Sequence, residues 1–158
     1  MSALYLVPVD EPSYQATLAQ KIDLTEWTDR PDDFPAKAHV WGVRTDPEQG
    51  PWPRNERTWE QMETGEPLLF YRNAKGRFFA TGRIGAMGKT DYVRNEFWNS
   101  GPADSVYEVM DYDEDIDLSA SRVKSLLGYD EGFIVRGTHR VSDDRPIERL
   151  LETIDVDG

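Results

Sequence analysis

The sequence contains no cysteine, only two histidines and no long apolar run. The missing cysteines exclude disulfides, thiolate nucleophiles and zinc sites built on cysteine. No stretch approaches the ~20 apolar residues that a membrane-spanning helix needs. The first residues also lack the basic and then apolar pattern of a secretion signal. We therefore expect a cytoplasmic protein that does not associate with a membrane.

Lysine is scarce as well. The chain has 30 acidic and 18 basic residues, only 5 of them lysine, and its formal net charge is −12. An acidic, lysine-poor and cysteine-free composition is typical of proteins from halophilic archaea, and an ordinary acidic protein is the alternative. This overall charge argues against nucleic-acid binding. The charge is uneven, however, because residues 72–94 hold six basic residues against one acidic one, whereas residues 103–117 hold seven acidic residues and no basic one. The sequence thus predicts one basic face.

The motifs of common active sites and metal sites are missing too. In the acidic run that starts at Asp111, Ile116 and Arg122 stand where a calcium-binding EF-hand loop requires glycine and glutamate. Neither His39 nor His139 lies in a metalloprotease or nucleophile motif, and no glycine-rich phosphate loop occurs. We therefore expect no metal and no cofactor. Among 30 acidic residues some pair always arises, so a small-molecule hydrolase that uses paired carboxylates remains an alternative.

The length of 158 residues, 38% of them hydrophobic, fits one domain with a real core. The pattern predicts strands at 4–9, 38–44, 68–72, 78–84, 106–112 and 133–135, and helices at 13–22, 55–64, 119–127 and 144–154. Residues 92–98 fit either a strand or a helical turn, and 155–158 read as a frayed tail. Strands and short helices do not alternate regularly, which predicts the α+β class, with a curved sheet or small barrel flanked by short helices.

The stretch from His39 to Ser100 concentrates aromatic side chains around a predicted hairpin with a tight turn at 74–76. A tryptophan segment precedes this hairpin and another follows it. Aromatic faces beside a basic hairpin suit a planar, unstacked ligand such as a nucleobase. For each tryptophan the alternative is a place in the core.

The order and spacing of several segments resemble the EVE and YTH-like branch of the PUA-like superfamily. The matching segments are Tyr5–Val7, Trp41–Arg44, Trp59–Tyr71, Gly76–Gly82, Phe97–Trp98, Gly132–Phe133 and Arg140–Val141. Glu66–Pro67 stands where many relatives have Gly-Asp. The resemblance implies a single EVE/PUA-like domain over 1–154, with a curved mixed sheet or pseudo-barrel that receives a flipped base in an aromatic pocket.

By position, the resemblance places the two walls of that pocket at Trp41 and Trp98. The candidate base-binding residues are Trp41, Gly42, Val43, Arg44, Thr45, Trp52, Asn95, Phe97 and Trp98. The candidate phosphate-binding residues are Arg72, Lys75, Arg77, Lys89 and Arg94. Phosphate contacts of this kind position a strand without reading its sequence.

The function predicted from these observations is a non-enzymatic reader of a modified base in DNA or RNA. The resemblance implies that such a module works alone or with a nuclease or motor subunit of a restriction system. Besides the hydrolase, a protein-interaction module with buried aromatic residues is an alternative. An open pocket faced by both Trp41 and Trp98 would favour the reader.

Overall fold

The structure, a computed structural model, describes residues 3–43, 53–72, 75–89, 92–97, 105–133, 135 and 138–157, without the side chains of 53–56, 89, 94, 95 and 155–157. The strands are β1 (Tyr5–Val9), β2 (Ile22–Asp23), β3 (Lys37–Val43), β4 (Pro67–Arg72), β5 (Arg77–Lys89), β6 (Ser105–Asp113), β7 (Leu118–Ser119) and β8 (His139–Arg140). The helices are α1 (Glu11–Ser13), a π-helical turn (Tyr14–Leu18), α2 (Pro53–Gln61), α3 (Tyr92–Phe97), α4 (Ala120–Leu127) and α5 (Ile147–Asp157). None of these helices is long and apolar enough to cross a membrane.

The strands form one open, mixed sheet of eight strands in the order β2-β3-β6-β5-β4-β1-β8, and β7 pairs with β5. β1 runs parallel to β4, from Tyr5 beside Leu68 to Val9 beside Arg72. β3 runs antiparallel to β6. Short helices flank this sheet, so the predicted α+β class is confirmed.

The chain divides into two compact units. The first comprises Met1–Val9, Glu66–Gly82 and Asp111–Gly158, and the second comprises Asp10–Gly65 and Arg83–Met110. The first unit packs α4 and α5 around buried apolar side chains from β1, β4, β5 and β7. Its core consists of Leu4, Leu6, Leu69, Phe78, Ile116, Leu118, Val123, Leu127, Val141, Ile147, Leu150 and Ile154. That the whole of 1–154 acts as a single domain stays a prediction.

The core of the second unit contains Trp27, which the sequence does not place. Its ring lies edge-on to Phe34, with centroids 5.0 Å apart, and is 4% exposed. Gly88 on β5 approaches the same ring closely, because a Cβ added there would lie 3.6 Å from it. A Cβ there would come closest to Pro31 Cγ, at 3.3 Å, so the missing side chain makes room mainly for Pro31.

α4 has the ends that the sequence predicts. The Ser119 hydroxyl accepts a hydrogen bond from the Arg122 N–H at 3.1 Å, which caps the first turn. Gly128 has a φ of 77° and closes the last turn in the left-handed conformation.

Other boundaries differ from the predicted ones. The helix predicted at 13–22 begins earlier, because the Asp10 carboxylate caps it by accepting from the Ser13 N–H at 3.0 Å, and it passes into the π-helical turn and then β2. Phe133 and Val135 lie outside regular structure, and the Phe133 N–H bonds the Asp130 carbonyl in a turn. α5 extends to Asp157, through residues assigned to a frayed tail, since neither glycine nor proline occurs among 155–157 to end it.

Candidate nucleic-acid interface

Trp41 lies in β3, and it faces Tyr107 across the pairing with β6. Directly opposite residues of antiparallel strands project from the same face of a sheet. Trp41 is 5% exposed and Tyr107 is fully buried. The backbone of β3 is fixed from outside the sheet, because the Thr17 hydroxyl donates to the Val40 carbonyl at 2.7 Å. Trp41, one wall of the predicted pocket, is thus almost entirely buried.

The Tyr107 hydroxyl is an unusual feature of this region. It is buried and has no hydrogen-bond partner within the described part of the chain. Burial raises its pKa well above the usual range, because the phenolate form would be desolvated. The predicted backbone contacts Gly42 and Val43 follow Trp41 in β3, opposite Val106 and Ser105.

α3 carries the next group of candidate residues. Tyr92, at its start, stacks nearly parallel to Trp27, with centroids 6.4 Å apart and planes 9° apart. Phe97, at its end, lies edge-on to Tyr92 at 6.2 Å and is half-buried. The chain of rings from Trp27 to Phe97 therefore fixes this helix within the second unit. Asn95 and Arg94 lie on the helix between these two rings, and their side chains are not described.

The remaining base-binding candidates cannot be placed against Trp41. Arg44, Thr45, Trp52 and Trp98 lie outside the described residues. The structure consequently brings only Trp41, Gly42 and Val43 together on one strand and places Phe97 on α3. The two-walled pocket stays a prediction.

The phosphate-binding candidates Arg72, Lys75 and Arg77 belong to the first unit. The Arg72 guanidinium lies 5.0 Å from the centroid of the Phe79 ring, a cation–π geometry. Lys75 is exposed beside Gly76, whose φ of 64° shapes the hairpin turn. The guanidinium of Arg77 forms an ion pair with Asp117, which compensates its charge. Lys89 ends β5, and its side chain is not described.

The first unit also contains an apolar cavity of about 60 Å³. It is lined by Leu6, Tyr71, Phe78, Ala120, Val123, Lys124, Tyr129, Phe133 and Val135. The sequence did not predict this cavity. The one sequence feature that points to it is the pair of aromatic residues after α4, Tyr129 and Phe133.

The acidic run at the end of β6 offers a carboxylate pair. The Asp115 N–H donates to the Asp113 carboxylate at 2.9 Å, and the charge of Asp113 raises the pKa of Asp115. Both side chains are exposed and neither lines the cavity. Among the described residues, no three histidine, aspartate or glutamate side chains converge as a metal site would require.

Comparison with known proteins yields matches at the level of structure. No protein-family model and no curated protein matches the sequence. The YTH domain of the MRB1 protein from Zygosaccharomyces rouxii, solved in complex with N6-methyladenosine RNA, matches with a TM-score of 0.58 and 13% identity, over 99% of this chain and 86% of that one. The Pho92 YTH domain in complex with m6A matches with a TM-score of 0.59 and 12% identity, over the same shares.

A mutant of the ZmASCH protein from Zymomonas mobilis also matches, with a TM-score of 0.52 and 6% identity, over 97% of both chains. At these identities the likeness concerns the backbone. It extends over almost the whole chain in all three comparisons. The protein therefore shares the overall fold of these proteins.

Proposed function

We propose that the chain is a non-enzymatic module that binds nucleic acid and reads a modified base. The observation that carries this proposal is the fold. Two domains solved with methylated adenine, one of them within RNA, cover 99% of this chain. The chain also has the aromatic residues that such a task needs at the ends of β3 and α3.

In this proposal Trp41 and Trp98 stack on the base. Because only a small part of Trp41 is exposed, the base meets the uncovered part of its ring. Trp52 follows β3 in the chain and Trp98 follows α3, and both would complete the pocket. Phe97 supports it from α3. The backbone from Gly42 to Thr45, together with Asn95, would bond the edge of the base.

Arg72, Lys75, Arg77, Lys89 and Arg94 would meet the phosphates, which position the strand without reading it. Stacking supplies roughly 1–3 kcal/mol per base. In molar salt the screening length falls to about 3 Å, so the phosphate attraction fades. An aromatic pocket therefore suits an acidic protein adapted to high salt. We place the module in the cytoplasm, working alone or with a nuclease or motor subunit.

The test compares single-stranded RNA of about nine nucleotides with one central N6-methyladenosine against its unmethylated twin. The same pair in DNA decides between the two nucleic acids. We expect the modified strand to bind at least about tenfold tighter at one stated salt concentration, as a difference of about 1.4 kcal/mol would give. The proposal is wrong if the methylated and plain strands bind equally tightly and strands that carry other common modified bases also bind no tighter than the plain strand.

A further inference from the structure

The cavity of the first unit lies between α4, the sheet and the segment that follows α4. Four of the nine described residues that line it are aromatic, namely Tyr71, Phe78, Tyr129 and Phe133. Tyr71 and Phe78 lie side by side on β4 and β5, with ring centroids 4.8 Å apart. The function proposed above does not use this cavity.

The aromatic wall after α4 is held in place before any ligand binds. Tyr129 and Phe133 stack with centroids 4.1 Å apart and planes 6° apart. The Arg145 guanidinium lies 3.7 Å from the centroid of the Tyr129 ring and donates to the Gly128 carbonyl at 2.8 Å. The Tyr129 hydroxyl is also hydrogen-bonded to His139 Nε2, at 2.8 Å. A preformed wall of this kind lowers the entropic cost of binding.

Two elements beside the cavity, α4 and the hairpin turn, are basic in a chain of net charge −12, whereas the segment after α4 carries Asp130 and Glu131. α4 carries Arg122 and Lys124 and no acidic residue. The hairpin turn, with Lys75, adjoins the start of α4, because the Ala120 N–H donates to the Gly76 carbonyl at 3.1 Å. Arg122 and Lys75 are both exposed. An anionic ligand with an apolar or planar part would complement the side formed by α4 and the hairpin turn.

We propose that this cavity is a second nucleotide-binding subsite, which rests on the nucleic-acid binding proposed above. The base contacts the aromatic wall and its phosphate meets Arg122 and Lys75. A volume of about 60 Å³ is well below the ~150 Å³ of a cavity that encloses benzene. The cavity therefore accepts part of a base, which leaves the rest exposed and joined to its strand. Four aromatic rings favour a planar base over the aliphatic side chain of an acidic peptide.

The first test fills the cavity with Ala120→Leu, a change at a half-buried position at the start of α4. We expect this variant to bind the methylated RNA of about nine nucleotides and its unmethylated twin about tenfold more weakly, with their affinity ratio unchanged. Wild-type affinity for both strands would overturn the subsite. If the wild type binds both strands equally, the reader proposal fails, while the loss in Ala120→Leu still tests the subsite.

The second test reverses one charge on α4, the helix that borders the cavity. Arg122→Glu should weaken binding of the plain RNA several-fold at low salt, and Arg149→Glu should weaken it less. Arg149 is exposed on α5, does not line the cavity, and gives the same change in net charge. Equal losses in the two variants would overturn the phosphate contact.

Backbone NMR signals locate the ligand even if a variant folds poorly. We expect plain RNA to shift the amide signals of Ala120 and Val123 in the wild-type protein. If adenosine monophosphate alone causes the same shifts, a free nucleotide is enough to bind the cavity, through the same base and phosphate contacts. RNA binding without these shifts, or their appearance only with an acidic leucine-containing peptide, would overturn the proposal.

Discussion

Trp41 lies directly opposite Tyr107, and both side chains leave the same face of the sheet. The Tyr107 hydroxyl is buried without a partner in the part of the chain that the structure describes. A buried hydroxyl of this kind lowers the free energy of unfolding, because its hydrogen bonds to water are lost and not replaced. Tyr107, the cross-strand neighbour of the proposed base-binding residue Trp41, therefore carries a hydroxyl that makes no hydrogen bond within the described part of the fold.

Tyr107→Phe should stabilise the protein. The substitution keeps the ring and removes the unsatisfied oxygen, so we expect the free energy of unfolding to rise by about 1 kcal/mol. Urea unfolding followed by tryptophan fluorescence measures this change.

Tyr5→Phe is the matched control for that substitution. Tyr5 is also fully buried, but its hydroxyl donates to the Glu66 carboxylate at 3.2 Å. We expect this variant to lose about 1 kcal/mol. If Tyr107→Phe destabilises the protein as much as Tyr5→Phe does, the Tyr107 hydroxyl has a partner in solution and the prediction is wrong.

Ser119→Ala should destabilise α4 by removing its N-cap. The Ser119 hydroxyl satisfies the Arg122 N–H, and loss of such a cap costs about 1 kcal/mol. Ser121→Ala is the control, because Ser121 is exposed inside the same helix, where alanine is favourable. Chemical denaturation of both variants checks the difference. Equal midpoints would show that the cap contributes nothing.

α4 was predictable from the sequence because its two ends depend on neighbours in the chain. Ser119 and Gly128 have the residue types that begin and end a helix whatever lies around them. The hairpin strands were predictable for the same reason. Trp27 was not, since its position depends on Phe34, Tyr92 and Gly88, and the most distant of these is 65 positions away in the chain.

The apolar cavity was hidden from the sequence for a similar reason. Its wall combines Leu6 near the start of the chain, Tyr71 and Phe78 in the middle and Phe133 near the end. No local period links these residues, and only the pairing of β1 with β4 brings together the strands that carry Leu6 and Tyr71. None of the tryptophans that the structure describes, Trp27, Trp41 and Trp59, lines the cavity.

Lys75→Glu should weaken nucleic-acid binding at low salt. Lys75 is exposed at the hairpin turn, whereas the charge of neighbouring Arg77 is compensated by Asp117. We therefore expect a several-fold loss for Lys75→Glu and a smaller one for Arg77→Gln, and both losses should shrink in molar salt. Lys21→Glu, at another exposed lysine, is the control for net charge. Equal losses for Lys75→Glu and Lys21→Glu would exclude the hairpin from the binding face.

Trp98→Ala should abolish the discrimination between modified and plain bases more than it weakens binding overall. A modified base differs from its parent by a small group, so discrimination requires a pocket that fits closely. Loss of one aromatic wall opens that pocket to water and removes a stacking surface worth roughly 1–3 kcal/mol. The phosphate contacts remain, and they do not depend on the identity of the base.

The measurement is the affinity of wild type and Trp98→Ala for matched methylated and plain RNA at one salt concentration. Trp59→Ala is the matched control, because Trp59 is half-buried on α2 and no base contact is assigned to it. We expect this control to lower the unfolding midpoint and to keep the wild-type affinity ratio. If Trp98→Ala also keeps that ratio, Trp98 is a core residue, and the second wall of the pocket must come from another aromatic side chain such as Trp52 or Phe97.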